Sequence, residues 1–367
     1  MLALRVARCV KPMDKTNHSD LERLAEAGDA EAQLALGRKF EGEGRQNLAR
    51  GWYARAARSG NLAAIRSLAV NLLTRQPRIV GDGIGMIRAA ADGGDAEACH
   101  ICAVLAAQGA NLAGDWKTAL DYLLRAAELG LPLARAELSL LAGEASTQDD
   151  ATLRANIDIR RWLASPPLNM VFHAPRIAVI EKFASPEFCD WLIERARPRL
   201  KRAEIYNDAA VGGRTADHRT NASAGFGIAD QDLILVTLRA RIAAVAGVSA
   251  AALESPSVLH YNPGEAFAPH HDFLNPTLPH LAREIAETGQ RVATFLVYLN
   301  EGYEGGETQF SELDWHFKGR KGDALLFWNL DSAGAPDPRT RHAGQPPTAG
   351  EKWVLSQWIR EEKKPTR

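Results

Sequence analysis

Cysteine is scarce in this chain, which has four cysteines in 367 residues: Cys9, Cys99, Cys102 and Cys189. Cysteines this few and this unevenly spread cannot form the disulfide framework of a secreted protein. We therefore expect a reducing compartment, and a cytoplasmic location is the default prediction.

Long apolar runs and an excess of one charge are also missing. No run approaches the roughly 20 apolar residues of a membrane-spanning helix. Arg5 and Arg8 interrupt the first ten residues, which therefore lack the apolar core of a secretory signal. The formal net charge of -1 gives no overall attraction to nucleic acid or to an anionic membrane. We expect neither as a partner.

The length predicts two domains, because 367 residues exceed one ordinary hydrophobic core. Residues 20–145 are rich in Ala, Leu, Arg and Glu, a composition that favours helix. Within them Gly28, Gly60, Gly94 and Gly130 recur at intervals of 32, 34 and 36 residues, each between two helical segments. Glycine supplies the left-handed turn after a helix, so the pattern predicts stacked helix pairs.

Residues 20–145 thus resemble the tetratricopeptide-like solenoids built from short helical repeats. The alternative is an irregular helical bundle. Solenoids often bind peptides or proteins on a concave face, so a protein partner is one expectation for this domain and a purely packing role is the other.

Residues 146–172 are predicted to be a linker that contains a helix from Thr152 to Leu163, ended by Pro166 and Pro167. Residues 173–362 then change character, because short apolar segments alternate with Gly, Pro and Asn, as in a β-sandwich or barrel. Ser185 caps a further predicted helix, and another is predicted for residues 278–288. The predicted strands are 177–180, 258–261, 292–300, 308–310, 324–328 and 353–358.

Two residues in this second domain have the spacing of metal ligands. His270 and Asp272 are two positions apart, so on an extended strand both side chains point the same way. A distant His would complete a two-His-one-carboxylate triad, which leaves three positions of a ferrous ion open. The His-x-Asp spacing is common by chance and is weak evidence alone.

A second stretch strengthens the interpretation, since Lys352 follows His342 by ten residues. Two short strands joined by a Pro/Gly turn would place both in one barrel. A buried lysine needs a charge partner, and the distal carboxylate of 2-oxoglutarate would supply one. Residues 353–358 also alternate as a barrel wall does.

Together these motifs resemble the prolyl 4-hydroxylase family of 2-oxoglutarate oxygenases over residues 175–360. Four stretches agree in order and spacing, which is much more specific than any single motif. They are Tyr261-x-x-Gly264-x-x-Phe267-x-x-His270-x-Asp272; residues 291–300, ending Val-Tyr-Leu-Asn; Gly305-Gly-Glu-Thr-Gln-Phe310 with Gly322-Asp-Ala-Leu-Leu-Phe-Trp328; and His342-Ala-Gly through Gly350-Glu-Lys-Trp353.

The resemblance implies an α+β multidomain chain, in which the helical solenoid precedes a double-stranded β-helix (jelly-roll) oxygenase domain. It implies Fe(II) held by His270, Asp272 and His342, with 2-oxoglutarate and O2 as co-substrates and ascorbate as a stimulant. The reaction would hydroxylate an unactivated C–H, giving succinate and CO2. The substrate would be a prolyl or other residue of a protein or peptide, or a free amino acid.

The resemblance also implies roles for four other residues. Lys352 would pair with the distal carboxylate of 2-oxoglutarate, and Tyr261 and Thr308 would contact the same molecule. Arg219 matches an Arg-Thr-Ser-like stretch near the family's substrate. The family usually has an aromatic hydroxyl where this chain has Phe267, so one polar contact is lost.

Several alternatives remain open from the sequence. The domain could be an inactive binding protein, or a cupin-type metal protein that has no need for Lys352. His271 is expected to point away from the ligands. Cys99 and Cys102 form a Cys-x-x-Cys, but no second pair exists for zinc, and a position inside a repeat helix favours buried packing.

Overall fold

The computed structural model describes residues 18–74, 80–109, 115–143, 149–203 and 219–362. Cys9 and residues 146–148 of the predicted linker lie outside these ranges. The chain divides into two compact units. The first runs up to Ala103 and includes Leu120–Arg135, and the second comprises Val104–Ala119 with the chain from Ala136 onwards.

The N-terminal half is helical, and the predicted glycines separate its helices in pairs. Gly28, Gly60, Gly94 and Gly130 have φ of 101°, 79°, 97° and 88°, the left-handed region that favours glycine. The helices are α1 (His18–Glu26), α2 (Ala30–Gly42), α3 (Gln46–Arg58), α4 (Leu62–Thr74), α5 (Val80–Asp92), α6 (Ala96–Gln108), α7 (Trp116–Glu128) and α8 (Pro132–Ala142). The helical fold predicted for this half is confirmed.

Small residues let the helices of the first unit approach closely, and α1 to α4 each pack against the helix that follows in sequence. The Tyr53 ring is fully buried and lies directly against Gly37, where a side chain would overlap it. Ala49, Ala56 and Leu34 complete this core. Local stacking of this kind is what a repeat pattern predicts.

Five more helices follow. The helix predicted for residues 152–163 is present as two helices. The second begins after Asp158, whose side chain caps it by accepting a hydrogen bond from the Arg160 N–H. In the described residues, every helix is too short, or too polar along its length, to form a membrane span. They are α9 (Asp150–Asn156), α10 (Ile159–Leu163), α11 (Pro186–Ala196), α12 (Leu233–Ala246) and α13 (Pro279–Thr288).

The second unit is built on antiparallel sheets. The large sheet has the order β1-β2-β11-β7-β14-β5-β4-β3, the small one β10-β9-β12-β6, and β13 pairs with β8. The strands are β1 (Asn169–His173), β2 (Arg176–Ile180), β3 (Lys201–Arg202), β4 (Ala222–Gly225), β5 (Ser257–Tyr261), β6 (Phe267–His270), β7 (Arg291–Tyr298), β8 (Glu304–Gly305), β9 (Thr308–Phe310), β10 (Trp315–Phe317), β11 (Ala324–Trp328), β12 (His342–Gly344), β13 (Pro347–Ala349) and β14 (Lys352–Arg360).

The two faces of the large sheet have different roles, as the alternation along β14 illustrates. Trp353 and Leu355 belong to the main hydrophobic core, together with residues of α11 and α12. Lys352, Val354 and Ser356 point to the opposite face and line a cavity. Successive residues of a strand face opposite ways, so one strand serves both core and cavity.

The strands predicted for 308–310 and 324–328 match β9 and β11 residue for residue. Helix α12 was not predicted. Its residues Leu233 to Leu238 are all buried, so no polar face marks the helical period. Asp232 caps this helix by accepting a hydrogen bond from the Leu235 N–H at 2.9 Å.

Candidate active site

Three potential metal ligands converge at the small sheet. His270 ends β6, His342 begins β12, and these two residues are directly paired in the antiparallel register. Asp272 lies two residues beyond β6. One ligand atom from each lies within 4.8 Å of the other two. Nε2 of His270 and Nε2 of His342 are each 3.5 Å from a carboxylate oxygen of Asp272.

The prediction that His270 and Asp272 share a strand is wrong, because β6 ends at His270. Asp272 is positioned by a hydrogen bond rather than by the pleat of a strand. Its Oδ2 accepts from the Thr294 hydroxyl of β7 at 2.7 Å, and that hydroxyl accepts in turn from Asn329 Nδ2 at 3.2 Å. The carboxylate is therefore held from the large sheet.

Backbone carbonyls fix the orientation of both imidazoles. Nδ1 of His270 lies 2.9 Å from the Ala268 carbonyl oxygen, and Nδ1 of His342 lies 3.0 Å from that of Thr340. A carbonyl can only accept, so each Nδ1 carries the proton and donates it. Each Nε2 then presents a lone pair, as in metal sites where the second ring nitrogen fixes the ligand.

Burial sets the charge states of the group. It lowers the pKa of His342 to about 4, with further lowering from nearby His270, so His342 is neutral at neutral pH. Burial alone would raise the pKa of Asp272, but interactions with His342, His270 and Thr294 outweigh it and hold this pKa well below its usual value. The carboxylate is thus ionised although only 5% exposed.

This donor set fits a ferrous ion, because two imidazole nitrogens and one carboxylate on one side form the two-His-one-carboxylate arrangement. No other cluster of three such side chains was found among the described residues. Cys99 and Cys102 are buried on α6, and burial raises the pKa of both thiols, that of Cys102 to about 12. These properties match buried packing rather than metal or redox chemistry.

Lys352 lies at the deep end of the same cavity. It is 2% exposed, and within the described part of the chain its ammonium has no hydrogen bond or ion pair. Its Nζ lies 5.0 Å from the Tyr261 ring centre and 5.8 Å from that of Tyr298. Burial lowers the pKa of Lys352 to about 7, against the attraction of Glu307.

Two tyrosine rings lie near this ammonium, and the hydroxyl of a threonine contacts that of one of them. Tyr261 faces Lys352 across the β5–β14 pair, and burial raises the pKa of Tyr261 to about 12, so it stays protonated. The Thr308 hydroxyl and the Tyr298 hydroxyl are 2.8 Å apart. A Cβ at Gly344 would come within 3.1 Å of the Tyr261 hydroxyl, which explains the glycine of the His-Ala-Gly motif.

A single side chain fixes the backbone around Lys352. Asn300 Nδ2 donates to the Glu351 carbonyl at 2.7 Å, and Asn300 Oδ1 accepts from the Trp353 N–H at 2.8 Å. These two bonds bracket Lys352. Asn300 was not assigned a role from the sequence, although it ends the quoted Val-Tyr-Leu-Asn run.

The triad and Lys352 share one cavity of about 830 Å³. His342 approaches it from the small sheet and Lys352 from the large sheet, so the two residues face each other from different sheets. Tyr261, Thr308 and Arg219 also line it. All seven residues singled out from the sequence therefore meet at one site. A cavity of this size is typical of a small-molecule site.

Phe267 and Arg219 form the wall beside the triad. The Phe267 ring stacks on His270 with 3.6 Å between ring centres, and the Arg219 guanidinium lies 4.4 Å above Phe267. Arg219 Nε also donates to Asn221 at 3.1 Å, and burial lowers the Arg219 pKa. An aromatic ring without a hydroxyl here favours stacking and a cation–π contact.

Trp358 is a cavity residue that the sequence did not identify as one. Its ring lies 3.5 Å from the guanidinium of Arg291. Glu254 holds that guanidinium through contacts of 2.7 and 3.2 Å and also pairs with Arg360 at 2.6 Å. Every second residue of β14 after Lys352 faces the same side, so this alternation could have identified Trp358 as a cavity residue.

His271 points away from the cluster, as expected. Its Nε2 lies 3.1 Å from the Pro338 carbonyl, and its ring packs on Phe273. The helix predicted for residues 278–288 is present as α13 (Pro279–Thr288), and none of its residues lines the cavity.

Comparison with known proteins supplies the remaining evidence. Residues 256–360 match the 2OG-Fe(II) oxygenase superfamily. The chain is 35% identical to prolyl 4-hydroxylase 1 of Arabidopsis thaliana over 228 residues, which cover 56% of this chain and 79% of that protein. It is 33% identical over 187 residues to prolyl 4-hydroxylase subunit alpha-1 of Mus musculus, covering 51% of this chain and 35% of the relative.

Among solved structures, the chain is similar to the viral collagen prolyl hydroxylase of Paramecium bursaria Chlorella virus-1 in its 2-oxoglutarate complex. The identity is 26% and the TM-score is 0.40, with 51% of this chain and 96% of the viral chain covered.

Proposed function

This chain belongs to the prolyl 4-hydroxylase family of Fe(II)- and 2-oxoglutarate-dependent oxygenases, and from that premise we propose that it hydroxylates an unactivated C–H of an amino-acid residue. The proposed substrate is a prolyl or other residue within a protein or peptide, or else a free amino acid. Succinate and CO2 are the proposed co-products.

The convergence of His270, Asp272 and His342 carries this proposal. Three donors within 4.8 Å, with both Nδ1 atoms occupied by carbonyls, are arranged to bind Fe(II) through Nε2, Nε2 and a carboxylate oxygen. Iron bound there would activate O2 for insertion into a C–H bond, with 2-oxoglutarate as the electron donor. The chain's part is to hold three ligands and leave the cavity side open.

We assign the deep end of the cavity to 2-oxoglutarate. The buried ammonium of Lys352, which has no ion pair among the described residues, would bind the distal carboxylate, and the hydroxyls of Tyr261 and Thr308 would donate hydrogen bonds to the same molecule. Tyr298 lies close enough to Thr308 to join them. Asn300 would keep Lys352 in place.

The substrate end is assigned to the wall that holds Arg219 and Phe267, and Trp358 lines the same cavity. Their planar groups can stack on a residue and exclude water from it. Asp272 would supply a carboxylate ligand to the iron beside the two histidines, so the ligand set favours hydroxyl transfer.

We also propose the division into domains. Helical repeats would occupy residues 20–145, a linker residues 146–172, and the oxygenase domain residues 173–362. The change from helices to antiparallel strands after α10 supports this order of domains, and β1 begins at Asn169, inside the proposed linker. The repeats are assigned to a protein partner.

Succinate formation tests the proposal. Purified protein would be incubated with Fe(II), ascorbate and air, first alone and then with proline peptides and free amino acids, beside His270→Ala. Bound iron would be measured in both proteins. Succinate from the wild type only, stimulated by one class of substrate and by ascorbate, is expected. Iron bound at the site without succinate under any condition would instead identify a binding protein.

A further inference from the structure

Asn329 lies behind the proposed iron ligands, at the first position after β11. It is fully buried and does not line the cavity. Its Nδ2 donates a hydrogen bond of 3.2 Å to the Thr294 hydroxyl, and that hydroxyl donates one of 2.7 Å to Oδ2 of Asp272. Asn329 is therefore joined to a proposed metal ligand through one intervening side chain.

The backbone of Asn329 is held independently of its side chain. Its N–H donates to the Val292 carbonyl at 2.9 Å, and its own carbonyl accepts from the Asp337 N–H at 2.9 Å. The Asp337 carbonyl accepts from the Thr340 hydroxyl at 2.7 Å, and the Thr340 carbonyl is the one that orients His342. These bonds fix the position from which the Asn329 side chain projects.

The chemistry of the groups fixes the direction of each bond in the chain. An ionised carboxylate can only accept, so the Thr294 hydroxyl uses its single proton on Asp272. That hydroxyl can then only accept from Asn329, which must turn the NH2 end of its amide towards Thr294. Without this donor the Thr294 hydroxyl could rotate, and its proton would no longer be directed at Asp272.

The two carboxylate oxygens of Asp272 have different surroundings. Oδ1 lies 3.5 Å from Nε2 of His270, and Oδ2 lies 3.5 Å from Nε2 of His342. Among the described residues, only Oδ2 accepts a hydrogen bond from a hydroxyl group. That bond draws electron density from Oδ2, so Oδ1 is the stronger donor to a metal ion.

The other end of the Asn329 amide gains nothing from the fold. Its side-chain oxygen is buried and has no hydrogen-bond partner in the described part of the chain, which costs stability. The buried amide of Gln357 differs, because it accepts from Arg239 at 3.2 Å and donates to the Glu254 carbonyl at 2.6 Å. An apolar residue of the same shape would serve packing at position 329 better than Asn does.

We propose that Asn329 is a positioning residue for the iron site. By donating to Thr294 it directs the hydroxyl proton onto Oδ2 of Asp272 and leaves Oδ1 as the oxygen that binds the metal. The inference rests on the proposed function, and it adds a residue from outside the cavity to the apparatus that would hold Fe(II).

Asn329→Leu tests the proposal, because it keeps the shape of the side chain and removes the donor. Titration with Fe(II) under argon should show a dissociation constant about 3- to 10-fold higher than that of the wild type. The melting temperature should be unchanged or higher, since a buried oxygen without a partner is removed as well. Gln357→Met is the matched control, and it should keep the iron affinity and lower the melting temperature.

A double variant shows whether Asn329 acts through Thr294. Asn329→Leu combined with Thr294→Val should bind Fe(II) as weakly as Thr294→Val alone, because the hydroxyl to be directed is already missing. With 2-oxoglutarate added under argon, the visible charge-transfer band from Fe(II) to the 2-oxo acid should move to longer wavelength in both single variants. Asp272 without its hydrogen bond donates more charge to the iron, whereas a loss of packing alone would not move the band.

The outcomes separate this inference from the proposed function. Unchanged iron affinity in Asn329→Leu, or losses that multiply in the double variant, would overturn the positioning role and leave the oxygenase assignment intact. A lower melting temperature in Asn329→Leu with the band in its wild-type position would likewise identify a packing residue. If the wild type itself bound no Fe(II), the proposed function would fail and this inference with it.

Discussion

Two buried polar side chains, Asn71 of the helical unit and Lys352 in the cavity of the second unit, differ in whether the protein supplies their partners. Asn71 on α4 is 4% exposed, and it accepts a hydrogen bond from Arg50 at 2.8 Å and donates one to Gln46 at 2.9 Å. Lys352 is 2% exposed, yet within the described chain its ammonium has no such partner. Buried polar groups are normally satisfied, because an unpaired one loses its hydration without compensation.

The difference teaches which polar groups serve the fold and which serve a ligand. A network that is complete within the protein stabilises a packing arrangement. A buried charge that faces a cavity costs stability until a ligand pairs with it, and strongly shifted pKa values cluster at functional sites for that reason. By this criterion Asn71 is structural and Lys352 is a binding residue.

The largest effect is expected from Lys352→Met, which removes the unpaired charge but keeps an apolar stem of similar length. We expect the dissociation constant for 2-oxoglutarate to rise about 100-fold, since loss of one partner of a buried ion pair costs about 2–5 kcal/mol. Calorimetry of Fe(II)-loaded protein under argon measures it. Unchanged affinity would refute the assignment of Lys352 and favour a cupin-type site.

The next largest effect is expected in the pH dependence of 2-oxoglutarate binding, because Lys352 titrates in the neutral range. Its pKa of about 7 means that the ammonium is charged below pH 7 and neutral above it. Binding of 2-oxoglutarate should weaken roughly 20-fold between pH 6.5 and pH 8.5. Lys352→Met should lose this dependence. A wild-type affinity that stays flat or improves over this range would contradict it.

The stability of the ligand-free protein should increase as pH rises, whereas the binding of 2-oxoglutarate weakens. The unfolded chain binds the proton of Lys352 up to about pH 10.5, whereas the folded protein releases it near pH 7. Since the unfolded state binds more protons in this window, the free energy of unfolding without ligand should rise as pH increases from 7 towards 10. Thermal melts of the wild type against Lys352→Met isolate this contribution, which the variant lacks.

Thr294→Val should weaken the metal site by roughly 10-fold in iron affinity, because the hydroxyl that orients Asp272 is lost while the shape is kept. Thr294→Ser retains the hydroxyl and is the matched control. Anaerobic Fe(II) titration measures the affinity of both variants. If Thr294→Val and Thr294→Ser lowered the affinity for Fe(II) equally, the cause would be lost packing rather than a lost hydrogen bond.

The smallest effect on the site is expected in the helical unit. Asn71→Ala should lower the free energy of unfolding by roughly 1–3 kcal/mol, because Arg50 and Gln46 lose their shared partner. Binding of Fe(II) and of 2-oxoglutarate should be unchanged. A loss of 2-oxoglutarate affinity in this variant would remove the distinction between the two kinds of buried polar group.

Much of this could be predicted from the sequence, for identifiable reasons. Gly28 and the three later glycines mark the ends of helices because their positive φ restricts the residue type. The strands β9 and β11 are short, and each begins two residues after a glycine. The triad and Lys352 emerged because several spacings agree at once, and the cavity brings them together.

The remaining features depend on contacts that no local pattern records. Asp272 lies beyond its predicted strand and is oriented by Thr294, a residue 22 positions away. Residues Leu233 to Leu238 of helix α12 are all buried, so no polar face marks the helical period there. The roles of Asn300 and Trp358 follow from strand pairing, which brings together residues far apart in the chain.

The most direct test of the account is the stoichiometry of Fe(II) binding under argon. The wild type should bind one Fe(II) per chain, and Asp272→Ala and His342→Ala should each lose it. The double variant Cys99→Ser, Cys102→Ser should retain it, since those thiols are buried packing residues. Iron binding that survives in the Asp272 and His342 variants, or disappears with the cysteines, would contradict the account.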